Sequence, residues 1–235
     1  MKNNNYEKHI NALSKISRAI ASDLYLDDIL KLIVTITAQL IGSNICSISL
    51  LNEKGDKLII KATQSISNEY NKKPPLSVGE GIAGKVVKLN QPIAVKDVTR
   101  EKEYKYHDIA KKEGLCSLLC APLAVKGKVI GVINCYTSKP YEFTKMDIDI
   151  ITYIANQAAV AIENTELMVK TKVIQEELES RKKIERAKGI LMKNENMGEE
   201  EAYMMLQKYS MDRRKSMREV SEAIIISEEM RKAIK

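Results

Sequence analysis

One stretch near the end of the chain decides how the whole sequence is interpreted. It reads Ile184-Glu-Arg-Ala-Lys-Gly-Ile-Leu-Met192, then Glu200-Glu-Ala-Tyr-Met-Met-Leu-Gln-Lys-Tyr-Ser-Met-Asp212, then Arg213-Arg214-Lys215, and then Ser216-Met-Arg-Glu-Val-Ser-Glu-Ala-Ile-Ile225. Apolar residues recur at helical spacing in three short segments, with basic residues between and across them. We expect a compact three-helix unit, which has little room for an active site but can present positive charge to nucleic acid.

Each predicted helix has a recognisable start or an apolar face. The first runs from Arg181 to about Lys193, and the carboxylates of 199–201 suit the positive N-terminal end of the second. Ser216-x-x-Glu219 has the spacing of a capping box for the third helix. The residues expected to face inward are Ile184, Ala187 and Leu191, then Ala202, Met205, Leu206 and Tyr209, and finally Met217, Val220 and Ile224.

A basic cluster lies where the third helix should begin. It consists of Arg213, Arg214, Lys215 and Arg218, and cations at a helix N-terminus are mildly destabilising. Local helix stability therefore does not explain the cluster. An external anion does, because a helix N-terminus flanked by Arg side chains makes a phosphate site. A solvated charged face is the other interpretation that fits these residues.

The segment resembles the ANTAR domain, the RNA-binding module of bacterial transcription antiterminators. The matching residues are Ala187-Lys188-Gly189-Ile190-Leu191-Met192, Glu201-Ala202, Leu206, Ser210-Met211-Asp212, and Arg218 through Ile225. The sequence departs from the family at Gln207, where the family often carries Arg.

The resemblance implies a dimer that binds paired short hairpins in an mRNA leader and so prevents a terminator from forming. It also implies which residues contact the RNA, with the Arg and Lys side chains clamping phosphates. These residues are Lys188, Gly189, Ser210, Arg213, Arg214, Lys215 and Arg218. Tyr209 lies beside them and is a candidate stacking partner for bases exposed in an RNA loop.

The preceding part of the chain has the pattern of a larger mixed domain. Two helices are followed by two strands, a short helix after a glycine-rich loop, two more strands joined by Lys126-Gly127-Lys128, and a long helix capped by Thr144-x-x-Asp147. The second helix should begin at Asp27 or Asp28 and end at Gly42. The first shows an apolar stripe of Ile10, Leu13, Ile16, Ile20 and Leu24.

This order resembles the GAF domain, a small-molecule sensor with a central antiparallel sheet. The likeness rests on Gly79-Glu-Gly-Ile-Ala-Gly84, Gln91-Pro92-Ile93, Asp97-Val98, the stretch 117–123, and Gly131-Val-Ile-Asn134. We therefore expect an α+β chain with a GAF-like antiparallel sheet flanked by helices, a long linking helix and the three-helix unit. The resemblance implies sensing of a small molecule or a redox state and leaves the cofactor unknown. The glycines 79, 81 and 84 favour a tight loop into a helix over a phosphate loop.

Four cysteines, Cys46, Cys116, Cys120 and Cys135, all fall in predicted strands. Cys116 and Cys120 are four residues apart, so they should project to the same side of a regular strand. If neighbouring strands bring the other two close, the four would line a ligand pocket with a metal or redox function. The competing interpretation is four small buried hydrophobes, which the presence of only two histidines favours. We expect no metal site.

The sequence carries no motif for nucleophilic, metal-dependent or nucleotide-hydrolysing catalysis, so we expect a protein that is not an enzyme. Free methionine sulfoxide reductases are GAF domains too. In that family a catalytic Cys directly follows the Gly-x-Gly-x element, and the residue at that place here is Ala83.

A helical pattern runs from Thr144 to Met192, and within it Leu167, Ile174 and Leu178 have heptad-compatible spacing. This spacing predicts a short parallel coiled coil and a homodimer, and a lone helix folding back on its own domain is the alternative. The predicted domains are a GAF-like sensor over 5–168, a coiled-coil linker over 169–183 and an ANTAR-like unit over 184–232.

Composition sets the remaining expectations. The chain has 235 residues and a net charge of +7, and it has no apolar run long enough for a membrane span. Its first residues lack the apolar core of a signal peptide, so we expect a cytoplasmic protein with reduced cysteines. The expected function is a signal-responsive RNA-binding antiterminator. The alternatives are a protein-interaction module regulated by a sensor domain, and a GAF-type methionine sulfoxide reductase.

Overall fold

The computed structural model describes residues 2–22 and 25–233 and divides into two compact units, Met1–Thr165 and Glu166–Lys235. The helices are α1 (Lys2–Ile20), α2 (Leu26–Ile41), α3 (Asn68–Asn71), α4 (Gly81–Leu89), α5 (His107–Lys112), α6 (Lys145–Glu195), α7 (Glu199–Arg213) and α8 (Met217–Ala233). The strands are β1 (Ile45–Leu51), β2 (Lys57–Thr63), β3 (Leu76–Ser77), β4 (Ile93–Val95), β5 (Leu118–Val125) and β6 (Lys128–Tyr136).

The first unit is built on a six-stranded antiparallel sheet in the order β3-β2-β1-β6-β5-β4. A core formed with α1, α2 and the first part of α6 covers one face, and it includes Ile33, Ile133 and Ile154. The other face is covered by α3, α4, α5 and their loops, with Tyr70, Val86 and Tyr136 in the core. Because both faces are covered, the central strands are apolar almost continuously rather than alternately. The predicted α+β class and antiparallel sheet are confirmed.

Several predicted boundaries are also confirmed. Helix α2 has Asp27 and Asp28 in its first turn and ends at Gly42 in the left-handed conformation. The β5–β6 connection places Lys126 and Gly127 both at positive φ, as a two-residue hairpin turn requires. Leu24 of the predicted first stripe lies outside the described residues.

The glycine-rich loop before α4 is a tight turn, as the sequence indicated. Gly79 and Gly81 have positive φ, and a Cβ at Gly84 would overlap the carbonyl oxygen of Ser77. The N–H of Gly79 donates to the carbonyl oxygen of Gly84 at 2.9 Å, which closes the loop onto the helix. The three glycines are therefore explained by backbone packing within the domain.

The sequence pattern was wrong about some short elements. Cys116 was expected to lie in a strand, but β5 begins at Leu118, so Cys116 is outside it. The short elements α3, β3, β4 and α5 were not predicted because segments of two to six residues carry too little periodicity.

The second unit packs the end of α6 against α7 and α8. Its buried apolar cluster comprises Ala187, Leu206 and Val220, flanked by Ile184, Leu191, Met217 and Ile224. Two residues expected to face inward do not, since Met205 is 45% exposed and Tyr209 is 52% exposed. The buried residues of α7 are Ala202 and Leu206, one turn apart, so only a narrow stripe of this helix is covered.

Both predicted capping boxes are present. The N–H of Glu219 donates to Ser216 Oγ at 3.2 Å and the N–H of Ser216 donates to Glu219 Oε2 at 2.8 Å. Thr144 and Asp147 make the same reciprocal pair, at 3.2 and 2.8 Å. Within the described ranges no helix has the length and apolarity to cross a membrane.

Candidate functional site

A groove of about 1140 Å³ lies in the second unit, between the end of α6, the second half of α7 and most of the length of α8. Its lining includes Tyr209, Arg213 and Lys215, together with the carboxylates Glu195, Glu219, Glu222 and Glu228. The predicted contacts Lys188, Gly189, Ser210, Arg214 and Arg218 are not among its lining residues. The structure thus brings three of the eight predicted contact residues to one groove of mixed charge.

Tyr209 and Arg213 form a pair at the groove. The guanidinium carbon of Arg213 is 5.5 Å from the centroid of the Tyr209 ring, within the range of a cation–π contact. The ring is half exposed, and Arg213 makes no ion pair among the residues that the structure describes. An exposed aromatic ring beside a free guanidinium can stack a nucleobase and hold its phosphate.

The turn between α7 and α8 holds the arginines in place. Arg214 is in the left-handed conformation, and the N–H of Lys215 donates to the carbonyl oxygen of Ser210 at 3.0 Å. Ser210 Oγ donates to the carbonyl oxygen of Lys215 at 2.5 Å. The Ser210 hydroxyl therefore fastens this turn, and Arg214 lies exposed at its apex.

The other candidate cations are paired with carboxylates. Lys188 is bound by Glu185 at 2.9 Å and Glu199 at 2.7 Å, and its side chain is only 9% exposed. These two carboxylates raise the pKa of Lys188, with Glu199 the larger influence. Elsewhere, Lys215 pairs with Glu219, and Arg218 pairs with Glu222 and Glu179. Arg213 and Arg214 are thus the members of the basic cluster without an ion pair in the described part of the chain.

Gly189 lies on the exposed side of α6, and a Cβ built there would meet no described atom within 4 Å. A glycine inside a helix costs about 1 kcal/mol relative to alanine. Packing within the unit therefore does not require this glycine, and the bare helix surface leaves room for close approach by another molecule.

The first unit contains a small, partly open cavity that the sequence did not predict, named the tyrosine cavity for the three tyrosines in its lining. It is lined by Ser47, Ser49, Leu58, Ile60, Tyr70, Lys73, Pro74, Leu76, Ala83, Tyr106, Asn134 and Tyr136. The Lys73 ammonium lies 3.6 Å from the Tyr70 ring centroid and 5.1 Å from those of Tyr106 and Tyr136. These residues are scattered through the sequence. The one available signal was the choice of aromatic, with ten tyrosines against a single phenylalanine and no tryptophan.

The structure does not bring the four cysteines into one pocket. Cys46 and Cys135 face each other with their Sγ atoms 3.5 Å apart in the core beneath α2, whereas Cys120 is buried in the core on the opposite face. Cys116 precedes β5 and is partly exposed. The spacing rule that predicted a shared side for Cys116 and Cys120 does not apply, because it holds only within a strand and Cys116 lies outside β5.

Three of the four cysteines, Cys46, Cys120 and Cys135, are buried in the apolar cores of the first unit. Burial raises the pKa of Cys46 and Cys120 well above that of a free thiol and also raises the pKa of Cys116. None of the four, all of which the structure describes, lines the tyrosine cavity. Within the described residues no group of three or more His, Cys, Asp or Glu side chains is placed to hold a metal ion.

The sequence is similar to several known proteins. It is 24% identical over 161 residues to the nitrogen fixation protein AnfA of Azotobacter vinelandii, covering 66% of this chain and 30% of that protein. It is 34% identical over 90 residues to the transcriptional regulatory protein PdtaR of Mycobacterium tuberculosis, covering 38% of this chain and 42% of PdtaR. The chain therefore spans less than half the length of either relative.

Solved structures show the same fold. The GAF domain of a phosphoenolpyruvate-protein phosphotransferase from Coxiella burnetii has a TM-score of 0.64 at 20% identity, covering 70% of this chain and 98% of that one. The free methionine-R-sulfoxide reductase of Neisseria meningitidis has a TM-score of 0.59 at 17% identity, covering 68% and 91%. At these identities the likeness shows the fold alone.

Two family descriptions match the chain in succession. The GAF domain matches residues 24–163 and the ANTAR domain matches residues 172–225, in the order that the sequence motifs predicted. The chain belongs to the GAF domain family and carries an ANTAR domain after its GAF domain.

Proposed function

We propose that this chain is a signal-responsive, RNA-binding regulator of transcription. The GAF domain senses a small molecule or a redox state. The ANTAR domain binds tandem hairpins in an mRNA leader and prevents a terminator from forming. The observation that carries the proposal is the pairing of exposed Tyr209 with unpaired Arg213 at the groove of the ANTAR domain.

The proposed contacts divide by chemistry. Arg213 and Arg214, which are not held by carboxylates, clamp phosphates of the RNA backbone. Tyr209 stacks with a base that the hairpin loop exposes, since RNA is read at unstacked bases. Gly189 allows the RNA backbone to approach α6 closely. The ion-paired Lys215 and Arg218 contribute only where RNA phosphate displaces their carboxylates.

A homodimer is part of the proposal. Leu167, Ile174 and Leu178 are exposed along α6, and so are Tyr153 and Val160 at the two preceding seven-residue steps. Apolar residues at this spacing form the seam of a parallel coiled coil. Two copies of the chain would then present two ANTAR domains to two hairpins.

The test is binding of the full chain to a labelled tandem-hairpin RNA across a range of salt concentrations, with a scrambled RNA beside it. Arg213→Ala should weaken binding about tenfold and lower the slope of log affinity against log salt by about one, because one phosphate contact is lost. Lys172→Ala is the matched control. It removes the same charge from an exposed position on α6 outside the groove, and it should leave the slope nearly unchanged.

The results separate the proposal from its rival. Equal affinity for hairpin and scrambled RNA, or equal slopes for both variants, would contradict the assigned RNA site.

The second candidate is a protein-interaction module, which exposed Met204, Met211 and Met230 in the same domain favour. A sulfoxide reductase activity is not proposed, since Ala83 lines the tyrosine cavity and the cysteines lie elsewhere.

A further inference from the structure

One carboxylate of α8 binds two cations of the second unit. Glu222 Oε1 accepts from the Lys183 ammonium on α6 and, at 3.2 Å, from Arg218 Nε one turn earlier on α8. These cations lower the pKa of Glu222, with Lys183 the larger influence, so the carboxylate is ionised at neutral pH. Glu179 is also near Arg218, at 3.9 Å, but it is 63% exposed and solvent screens that pair. Two positive charges on two helices therefore share one close negative charge.

The three side chains of this cluster lie partly at the surface. Each is 34–38% exposed, so the cluster is neither sealed in the core nor fully screened by solvent. Of the three, Glu222 is among the lining residues of the groove, whereas Lys183 and Arg218 are not. A molecule in the groove therefore meets the carboxylate on the α8 side, and the two cations bound to that carboxylate lie outside the lining.

Two other arginines of the basic cluster differ in this respect. Arg213 lines the groove and Arg214 lies exposed in the turn, and neither makes an ion pair among the residues that the structure describes. The same unit thus offers two cations to phosphate and keeps two others paired. A partly exposed ion pair adds little to the free energy of unfolding, so stability is a weak reason for this division.

We propose that Glu222 is a specificity-determining residue, which lowers the affinity of the second unit for nucleic-acid backbone in general by neutralising Lys183 and Arg218 beside the groove. Binding to phosphate chains of any sequence grows with each available cation, so fewer available cations leave more of the affinity to base contacts such as that of Tyr209. Specificity then comes from weakening the wrong partner. The inference rests on the proposed RNA binding for its biological role, but the charge effect is measurable with any polyanion.

Heparin tests the charge effect without RNA. Glu222→Gln in the full chain keeps the size of the side chain and should leave a heparin column at a higher salt concentration than the wild type, because Lys183 and Arg218 become available. Glu229→Gln is the matched control, since Glu229 pairs with Arg186 of α6 at 2.7 Å but does not line the groove. Both of those side chains are more than half exposed, so breaking this pair should shift elution much less. Equal shifts for the two variants would overturn the proposal, whether or not the chain recognises hairpins.

RNA measures the selectivity itself. The affinity of Glu222→Gln for the scrambled RNA should rise about tenfold, and the slope of log affinity against log salt should steepen by about one to two, as two further phosphate contacts require. Affinity for the tandem hairpin should rise only about threefold, because contacts at Tyr209 and Arg213 fix its register and a fixed backbone reaches fewer of the released cations. Equal gains on both RNAs would contradict the role of Glu222. A wild-type chain that binds both RNAs equally would instead contradict the proposed RNA function, and the heparin result would still decide the charge effect.

A reversal variant separates the release of charge from a change in folding. Lys183→Met and Arg218→Met, added to Glu222→Gln, keep the aliphatic stems and remove the two released charges. This triple variant should leave heparin at or below the salt concentration of the wild type. Glu222→Gln alone should melt slightly earlier than the wild type while binding polyanions more tightly, and a purely structural role for Glu222 would not produce that combination. A triple variant that elutes as late as Glu222→Gln would contradict the release of these two cations.

Discussion

The two units of this chain differ in how far their candidate binding residues are exposed to solvent. In Met1–Thr165 the sheet is covered on both faces, and Lys73 and Asn134 line a small, partly open cavity. In Glu166–Lys235 the Tyr209–Arg213 pair lies on the surface. A cavity of about 50 Å³ admits only molecules of a few atoms, whereas a groove of about 1140 Å³ can receive a chain molecule laid along it. This difference is the reason for proposing a small ligand for the first unit and a macromolecule for the second.

The same difference separates the units in stability. The first has two large apolar cores, but the buried apolar cluster of the second centres on three side chains. A domain this small buries a smaller share of its surface and is correspondingly marginal. The second unit should therefore be more sensitive to loss of a single core side chain and should gain more from a bound partner.

Leu206→Ala should have the largest effect on this comparison. Leu206 is 1% exposed at the centre of the second unit, and a Leu→Ala change in a core costs about 2–5 kcal/mol. The expected result is unfolding of α7 and α8 at a lower temperature while the sheet of the first unit keeps its protection. Hydrogen exchange resolved by peptide during a temperature series measures both units in one sample.

The matched control is Met204→Ala on the same helix, where the side chain is half exposed and a change should be nearly neutral. If Leu206→Ala instead destabilises both units by equal amounts, they unfold as one cooperative body. The contrast between a robust and a marginal unit would then be incorrect.

Lys188→Met should lower the stability of the second unit by an intermediate amount. It tests whether this residue serves stability or RNA binding. The family resemblance implies that Lys188 contacts RNA, yet its side chain is nearly buried and bound to Glu185 and Glu199. Met preserves the aliphatic contacts and removes both ion pairs, so the second unit should melt earlier. The loss should be smaller than for Leu206→Ala.

RNA binding by the same variant decides between the two roles of Lys188. Measured well below the melting transition, Lys188→Met should keep most of its affinity for hairpin RNA, whereas Arg213→Ala should lose about tenfold. A loss for Lys188→Met as large as that for Arg213→Ala would show that RNA draws this lysine away from its carboxylates.

Long and local features were predictable from the sequence, and single-residue environments were not. The Ser216–Glu219 capping box and the end of α2 at Gly42 depend on spacing and backbone chemistry, which neighbouring residues determine. The antiparallel sheet was expected from the resemblance to the GAF domain. The exposure of Met205 and Tyr209 depends on how wide a stripe of α7 the other helices cover. That width is a tertiary property which helical periodicity does not contain.

The tyrosine cavity was even less predictable from the sequence than the exposure of Met205 and Tyr209. Lys73 follows a four-residue helix, and Asn134 lies in an apolar strand that favours no particular function. Only the sheet register and the packing of α3 against it bring the lysine, the amide and the tyrosines together. The sequence suggested a ligand pocket at the cysteines because thiols can bind metals or change redox state, but core packing explains the positions of Cys46, Cys120 and Cys135.

The smallest expected effect tests the start of α8. The Glu219 carboxylate accepts the Ser216 N–H, the Lys215 ammonium and the Ser216 hydroxyl, and together these lower its pKa to about 2. Since the pKa is lower in the folded state than the ordinary 4.5, the stabilisation is complete above about pH 4.5 and is lost as the pH falls toward 2.

Glu219→Gln removes the charge, so the variant should melt slightly below the wild type at pH 6. The two melting temperatures should converge as the pH approaches 2, because the wild-type carboxyl then becomes neutral as well. A gap that stays constant from pH 6 to pH 2 would mean that the cap acts through hydrogen-bond geometry and not through the charge of Glu219.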